Sequence, residues 1–202
     1  MRNERGLTLT ELLVTLAMLG FLTAGTYQMA IHQGKAYNAQ DQIMDVQQNI
    51  RVALDQIVDD AQIAGYDSDR STSQIVIAQA VVPQDHQLTV SHEFNDTTER
   101  TVTYLLRGEQ VLKQVTFTNA AGVSTPGPQE ALLDGALALR FTYGLDTNND
   151  GVADAWVPAG GVGTARLVAI RVRLSARPTH PDSANVLSRE LESIATLRNG
   201  LL

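Results

Sequence analysis

The sequence predicts an α+β protein: one long helix at the start of the chain, followed by a β-rich head. Three observations carry this expectation. Apolar residues crowd the first thirty positions and the remainder reads as a soluble protein, an asymmetry hidden by a mean hydropathy of −0.08. Between Gln40 and Tyr66 apolar residues recur every three or four positions, the period of an amphipathic helix. From Ser73 onward the period shortens to the alternation of strands. The 202 residues, 44% of them apolar, suffice for one packed domain and an appendage.

Met1–Gly6 (MRNERG) is polar and carries Arg2 and Arg5. Leu7–Ala30 (LTLTELLVTLAMLGFLTAGTYQMA) carries one charge, Glu11. As a helix it would span about 36 Å, enough for a hydrocarbon layer of about 30 Å. The preceding arginines keep the N-terminus cytoplasmic and send the rest across. An ordinary secretory signal fits poorly, because its apolar region is shorter and ends in a small-residue cleavage site on the far side. A carboxylate near the end of a spanning helix is costly unless paired, which makes Glu11 a functional candidate; the bland reading is that it snorkels to the interface.

Beyond Ala30 no proline interrupts the chain before Pro83. The stripe Ile43, Val46, Ile50, Ala53, Leu54, Ile57, Ala61 and Ala64 predicts that the helix runs unbroken from Leu7 to Ala64, about 85 Å, with Gly65 as its C-cap. The stripe is expected to pack on the sheet of the head.

In the head, Ser73–Val82, Gln87–Phe94, Arg100–Arg107, Gln110–Phe117, Ala136–Leu145 and Ala165–Ala176 read as strands, with a tight hairpin at Gly108-Glu109. Gly122–Gln129 (GVSTPGPQ) reads as a loop, and Ser188–Leu202 as a strand or a short helix. The expected architecture is a largely antiparallel sheet with the helix across it.

One head motif carries chemistry. Asp146, Asn148, Asp150 and Asp154 place oxygen side chains at the first, third, fifth and ninth positions of a calcium-type loop, with Gly151 sixth and the Val152 carbonyl seventh. The twelfth position is Val157 rather than a bidentate glutamate, so this is no EF-hand, and binding is expected to be weak, about 10⁻⁴ to 10⁻³ M. The alternative is a bare polar turn, since Asp, Asn and Gly dominate turns for conformational reasons.

Other chemistry finds no support. The net charge of −7 argues against a nucleic-acid partner, and the absence of cysteine excludes disulfides, thiolate metal sites and thiol catalysis. His32, His86, His92 and His180 form no ligand-spaced pair, and no nucleophile elbow or phosphate loop is present. Gly160-Gly161-Val162-Gly163 reads as a flexible loop; Asp59, Asp60, Glu190 and Glu192 read as solvated charges. No catalytic residue is assigned.

The run Arg5-Gly6-Leu7-Thr8-Leu9-Thr10-Glu11-Leu12-Leu13 resembles the class III signal of type IV pilins and type II secretion pseudopilins. The resemblance implies a pilin-like fold, cleavage after Gly6 by a prepilin peptidase, N-methylation of Leu7, and a retained helix. Glu11 becomes the fifth mature residue, a partner for the amine of a neighbouring subunit during assembly. Leu7 stands where most members have Phe, and Thr10 where most are apolar. Arg51, Ala53, Leu54, Ala64, Gly65 and Tyr66 match the corresponding region of PilW-type minor pilins, and Arg198-Asn199 is similar to their chain ends. Loops like Asp146–Asp154 also occur in exported bacterial proteins, pilin-like heads among them.

The expected organisation is a leader at 1–6, an assembly and membrane segment at 7–30, an amphipathic half-helix at 31–66, and a periplasmic or extracellular head at 67–202. Partners implied are other pilins, the prepilin peptidase and the inner membrane. The protein would then be a minor pilin acting in pilus initiation or at the tip. The alternatives are a minor pseudopilin of type II secretion, or a membrane-anchored calcium-binding or adhesin module that never polymerises.

Overall fold

The computed structural model describes residues 8–68, 75, 77, 79–179 and 187–201. The expected leader and Leu7 lie outside these residues. The chain divides into two compact units, Met1–Gln42 and Ile43–Leu202, and the helix α1 (Leu9–Gln62, 54 residues) contributes to both.

In the first unit α1 exposes Leu12, Leu13, Leu16, Leu19, Phe21 and Leu22. An apolar surface of this kind suits lipid or other helices rather than water. The hydroxyls of Thr15, Thr23 and Thr26 donate back to the carbonyls of Glu11, Leu19 and Leu22, so these polar groups are satisfied within the helix. Among the described residues α1 is the one helix long and apolar enough to cross a membrane.

In the second unit α1 buries Val46, Ile50, Ala53, Leu54, Ile57 and Ala61, as the periodicity predicts. Two antiparallel sheets replace the single expected sheet. One has five strands in the order β1 (Val81–Pro83), β2 (Gln87–Asn95), β3 (Thr98–Arg107), β4 (Gln110–Asn119), β5 (Ser124–Asp134). The other runs β7 (Ala155–Val157), β6 (Ala136–Asp146), β8 (Arg166–Ala176), β9 (Arg189–Leu201). Inward residues of both sheets, among them Leu88, Val102, Tyr104, Leu139, Phe141 and Ile170, form one core with the helix stripe. The sheets are fastened to each other by Phe141 N–H donating to Asp85 O at 3.0 Å and by the Tyr143 hydroxyl, which donates to Gln84 O and accepts from Gln84 N–H, both at 2.8 Å. Burial, above all, pushes the Tyr143 phenol up to about 12, which keeps it protonated for this contact.

Several expectations need correction. Gly122–Gln129 is not simply a loop, because Ser124–Asp134 forms β5. Its Pro126 and Pro128 are tolerated on an edge strand, where an absent N–H breaks no ladder bond. Of the expected strand Ser73–Val82, strand structure among the described residues begins only at Val81. The short β7 was not foreseen, and the tail resolves to the strand β9. Gly160-Gly161 fall in a single 3-10 turn, Ala159–Gly161.

Asp60, expected to be solvated, is 8% exposed and joins helix to sheet. Its carboxylate accepts from the Tyr104 hydroxyl at 2.5 Å, Lys113 Nζ at 2.8 Å and Arg100 Nη1 at 3.2 Å. Burial raises the carboxyl, but the Lys113 and Tyr104 hydrogen bonds and the two cationic charges outweigh it, leaving Asp60 below the usual carboxylate range. Burial, reinforced by the Asp60 hydrogen bond, holds the Tyr104 phenol far above its ordinary value. His92, which pairs with Arg100 in the β2–β3 register, is buried with Nδ1 lacking a hydrogen bond. Burial first, then the Arg100 charge, lowers its imidazole.

The far end of α1 is closed by the tail. Asn199 Nδ2 donates to Ala64 O at 3.0 Å and to Ile63 O at 3.4 Å, while Arg198 reaches Gln62 Oε1 at 3.1 Å. These bonds tie the tail to the turn that follows the helix, where the Ile63 carbonyl also accepts the Tyr66 N–H at 3.0 Å. Gly65 has the positive φ of 71° expected of a terminating glycine, but its N–H donates to Ser91 O on β2.

Asp60→Ala strands two cations against the core and is expected to lower unfolding free energy by about 3 to 5 kcal/mol in urea titrations of the detergent-solubilised chain. Asp60 and His92 both have folded values below their ordinary ones of about 3.9 and 6.5. Each contributes stability that is complete above the ordinary value and is lost as pH falls through the lower folded value. The stability of the parent chain should therefore decline below about pH 6.5, first through His92; His92→Leu should remove that first decline and leave the later one.

Candidate functional site

The start of α1 is organised by Thr8 and Glu11. Thr8 N–H donates to Glu11 Oε2 at 3.1 Å and the Thr8 hydroxyl donates to the same oxygen at 2.9 Å. Glu11 N–H donates in return to Thr8 Oγ1 at 3.3 Å. With Thr8 at the N-cap and Glu11 three residues on, this is a capping box, which satisfies two of the free N–H groups of the first turn. The Thr-x-x-Glu spacing from Thr8 to Glu11 is a helix-start signal written in the sequence itself. Glu11 Oε1 accepts no hydrogen bond among the described residues. The carboxylate therefore caps its own helix with one oxygen and leaves the other without a hydrogen bond among the described residues. Gly6 and Leu7, the expected cleavage pair, lie outside the described residues.

The second candidate is the hairpin between β6 and β7, which carries Asp146, Asn148, Asp150, Val152 and Asp154. Positive φ values at Asn149 (66°) and Gly151 (85°) let the chain curl around Asp146. The buried Asp146 carboxylate accepts Asn149 N–H at 2.6 Å and Asp150 N–H at 3.2 Å on Oδ1, and Gly151 N–H at 2.8 Å on Oδ2. Arg166 Nη1 lies 3.3 Å from Oδ2 and 2.8 Å from Asn149 Oδ1. Asp154 Oδ2 accepts the N–H and the hydroxyl of Thr147, both at 2.8 Å, and these bonds lower its carboxyl below the usual range. Asn148 Nδ2 bridges Asp150 Oδ2 at 3.1 Å and Asp154 Oδ1 at 3.3 Å. The carboxylates thus face N–H donors and a guanidinium. Among the described residues no group of three or more Asp, Glu or His side chains converges as a metal-binding set.

The base of this hairpin is pinned. Asp154 N–H donates to Leu145 O at 2.8 Å, and a Cβ at Gly144 would lie 2.8 Å from Ala153 Cβ and 3.2 Å from the Trp156 ring. Trp156 in turn carries the Arg171 guanidinium 4.0 Å above its ring. The sole tryptophan of the chain is therefore anchored two residues after Asp154.

An open cleft of about 290 Å³ lies between α1, β5 and the segment after β8, lined by Val46, Asn49, Leu133, Asp134, Arg177 and Thr179.

Residues 95–196 match the family model for type IV pilus-assembly protein W, just over half of the chain. The chain belongs to that family. Residues 1–27 also match the model of the prokaryotic N-terminal methylation motif, which contains Gly6, Leu7, Thr8 and Glu11. No curated protein matches the chain. The W-family match runs from the end of β2 into β9, so it includes the Asp146–Asp154 hairpin and the strands β5 and β7, neither of them foreseen from sequence. As a W-family protein with a methylation signal, the chain is a membrane-anchored pilin of the type IV pilus machinery, with pilin partners and peptidase processing. Pilin-family domains are structural rather than enzymatic.

Removing the cap of this W-family helix should leave the rest folded. Thr8→Val is expected to cost about 1 kcal/mol at the helix start, seen as faster amide exchange over Leu9–Leu12 in micelles, whereas Thr8→Ser should exchange as the parent does.

Proposed function

We propose that the protein is a minor pilin that is cleaved after Gly6, methylated at Leu7 and inserted through α1 into an initiating or tip complex of a type IV pilus. The observation that carries the proposal is the lone carboxylate of Glu11 at the capped start of a membrane-length helix, with one oxygen uncommitted. Cleavage creates an ammonium at Leu7. In a low-dielectric bundle that ammonium and a neighbour's Glu11 each lower the cost of burying the other. Before incorporation the helix would hold the protein in the inner membrane as a single span, with the head on the periplasmic side, as the arginines of the leader favour.

Co-production with a prepilin peptidase should give a product beginning at N-methyl-Leu7, read by intact mass. Glu11→Ala should still be cleaved but should enter sheared pili at least about tenfold less, since roughly 1.4 kcal/mol of lost pairing suffices for that ratio. A full-length, unprocessed chain in that assay would contradict the reading.

The same chemistry would serve a type II secretion pseudopilus, and the W-family match favours the pilus. Calcium in the Asp146–Asp154 hairpin is a second proposal. Asp146, Asn148, Asp150 and Asp154 would supply side-chain oxygens and Val152 its carbonyl, and the cation would offset the repulsion of three carboxylates. It would have to displace the Arg166 guanidinium from Asp146, which keeps affinity low. Titration of the full chain followed by Trp156 fluorescence should saturate with a dissociation constant of about 10⁻⁴ to 10⁻³ M. Arg166→Gln should tighten binding several-fold and Asp150→Ala abolish it; a flat titration for both parent and Arg166→Gln would remove calcium from the account.

A further inference from the structure

The sequence contains one Asn-x-Thr triplet, Asn95-Asp96-Thr97, the acceptor pattern for N-linked sugar. Asn95 ends β2, Asp96 and Thr97 form the two-residue turn to β3, and all three residues are exposed. Asn95 Oδ1 accepts the Thr97 N–H at 3.0 Å and the Thr97 hydroxyl at 3.1 Å. The side-chain nitrogen Nδ2, the atom that would carry the sugar, donates no hydrogen bond among the described residues. A substituent on Nδ2 would therefore break nothing in the folded head.

A second, independent feature adjoins the triplet. The β2–β3 register slips between Glu93 and Asn95, and Phe94 at this irregularity is 59% exposed. It meets Phe117, itself 38% exposed, edge to face with centroids 5.1 Å apart. Two aromatic rings held against each other at the surface are costly in water, and among the described residues both remain exposed. Sugar rings present flat C–H faces to aromatic rings, so a glycan on the neighbouring residue is a fitting cover. An ordinary polar turn would explain the Asn95–Thr97 bonds but not the exposed pair beside them.

We propose that Asn95 is the acceptor of an N-linked glycan, donated by a polyprenyl-diphosphate-linked oligosaccharide on the outer side of the membrane, and that its first sugars rest on Phe94 and Phe117. In the transfer the Nδ2–C1 bond forms and the bond from C1 to the diphosphate oxygen breaks. The diphosphate leaves with the electron pair, and one Nδ2 proton passes to a base of the transferase. Nothing is oxidised or reduced. The proposal rests on the membrane crossing proposed above.

The test uses the full chain, with a reference Asn-x-Thr triplet on a flexible tag after Leu202, produced in a bacterium that carries an oligosaccharyltransferase and its lipid-linked donor. Glycopeptide mass spectrometry should find one glycan on Asn95, lost in Asn95→Gln and Thr97→Ala and kept in Thr97→Ser. The glycosylated head should unfold at a higher temperature than the bare one, and Phe94→Ser should close at least half of that gap. A glycosylated reference triplet beside a bare Asn95 overturns the proposal and leaves the membrane topology standing. Both triplets bare would overturn the topology and, with it, this proposal. An undiminished gap in Phe94→Ser would remove the aromatic platform.

Discussion

The head is built around one buried carboxylate. Asp60 sits on the inward face of α1 and is reached by three donors from the five-stranded sheet: the Tyr104 phenol, the Lys113 ammonium and the Arg100 guanidinium. Apolar contacts along the stripe from Val46 to Ala61 hold the helix on the sheets, but such contacts are non-directional and tolerate sliding by a turn. The three bonds to Asp60 do not. They fix the axial and rotational register of the helix against β3 and β4, and so fix which residues of α1 remain outward. Burial first, and then the charge of the nearby Arg100, lower the imidazole of the adjacent His92. A buried ionic cluster of this kind contributes less to net stability than to uniqueness of packing.

The other end of the joint follows the same logic. Asn199 on β9 closes the carbonyls of Ile63 and Ala64, so the last strand of the chain terminates its first helix. The W-family match covers β9 through Thr196 and stops just short of this residue. The Arg198-Asn199 pair, similar in sequence to other chain ends, thus has a physical role: the Asn199 amide donates to the carbonyls of Ala64 and Ile63, the second of which also accepts the Tyr66 N–H.

Much of this was legible from residues alone. The helix stripe was read correctly because burial on one face imposes a 3.6-residue period that no head residue can disguise. The strands β2, β3, β4, β6 and β8 were legible for the corresponding reason, with ends off by one or two positions. β5 was missed because Pro126, Gly127 and Pro128 are breakers in a central strand and harmless at an edge, and edge position is not written in local sequence. Asp60 is buried while its neighbour Asp59 is exposed, and nothing in the dipeptide says which of two adjacent carboxylates faces inward until the partners Tyr104, Lys113 and Arg100, forty or more positions away, are placed. The spacing of the loop from Asp146 to Asp154 is local, but the guanidinium of Arg166 that pairs with Asp146 comes from a separate strand.

The sequence by itself determined the class of the molecule: a helix long and apolar enough for a membrane, a lone glutamate near its start with the processing signal around it, and a β head. These depend on local periodicity and on spacings within one or two turns, which a chain displays whether folded or not. Only the tertiary structure decided what the polar residues do. Which carboxylate is buried, which strand lies at an edge, which amide caps the helix and which aromatic ring is left in water all depend on contacts between residues distant in sequence. Such pairings are set by the closing of the core, and no local pattern encodes them.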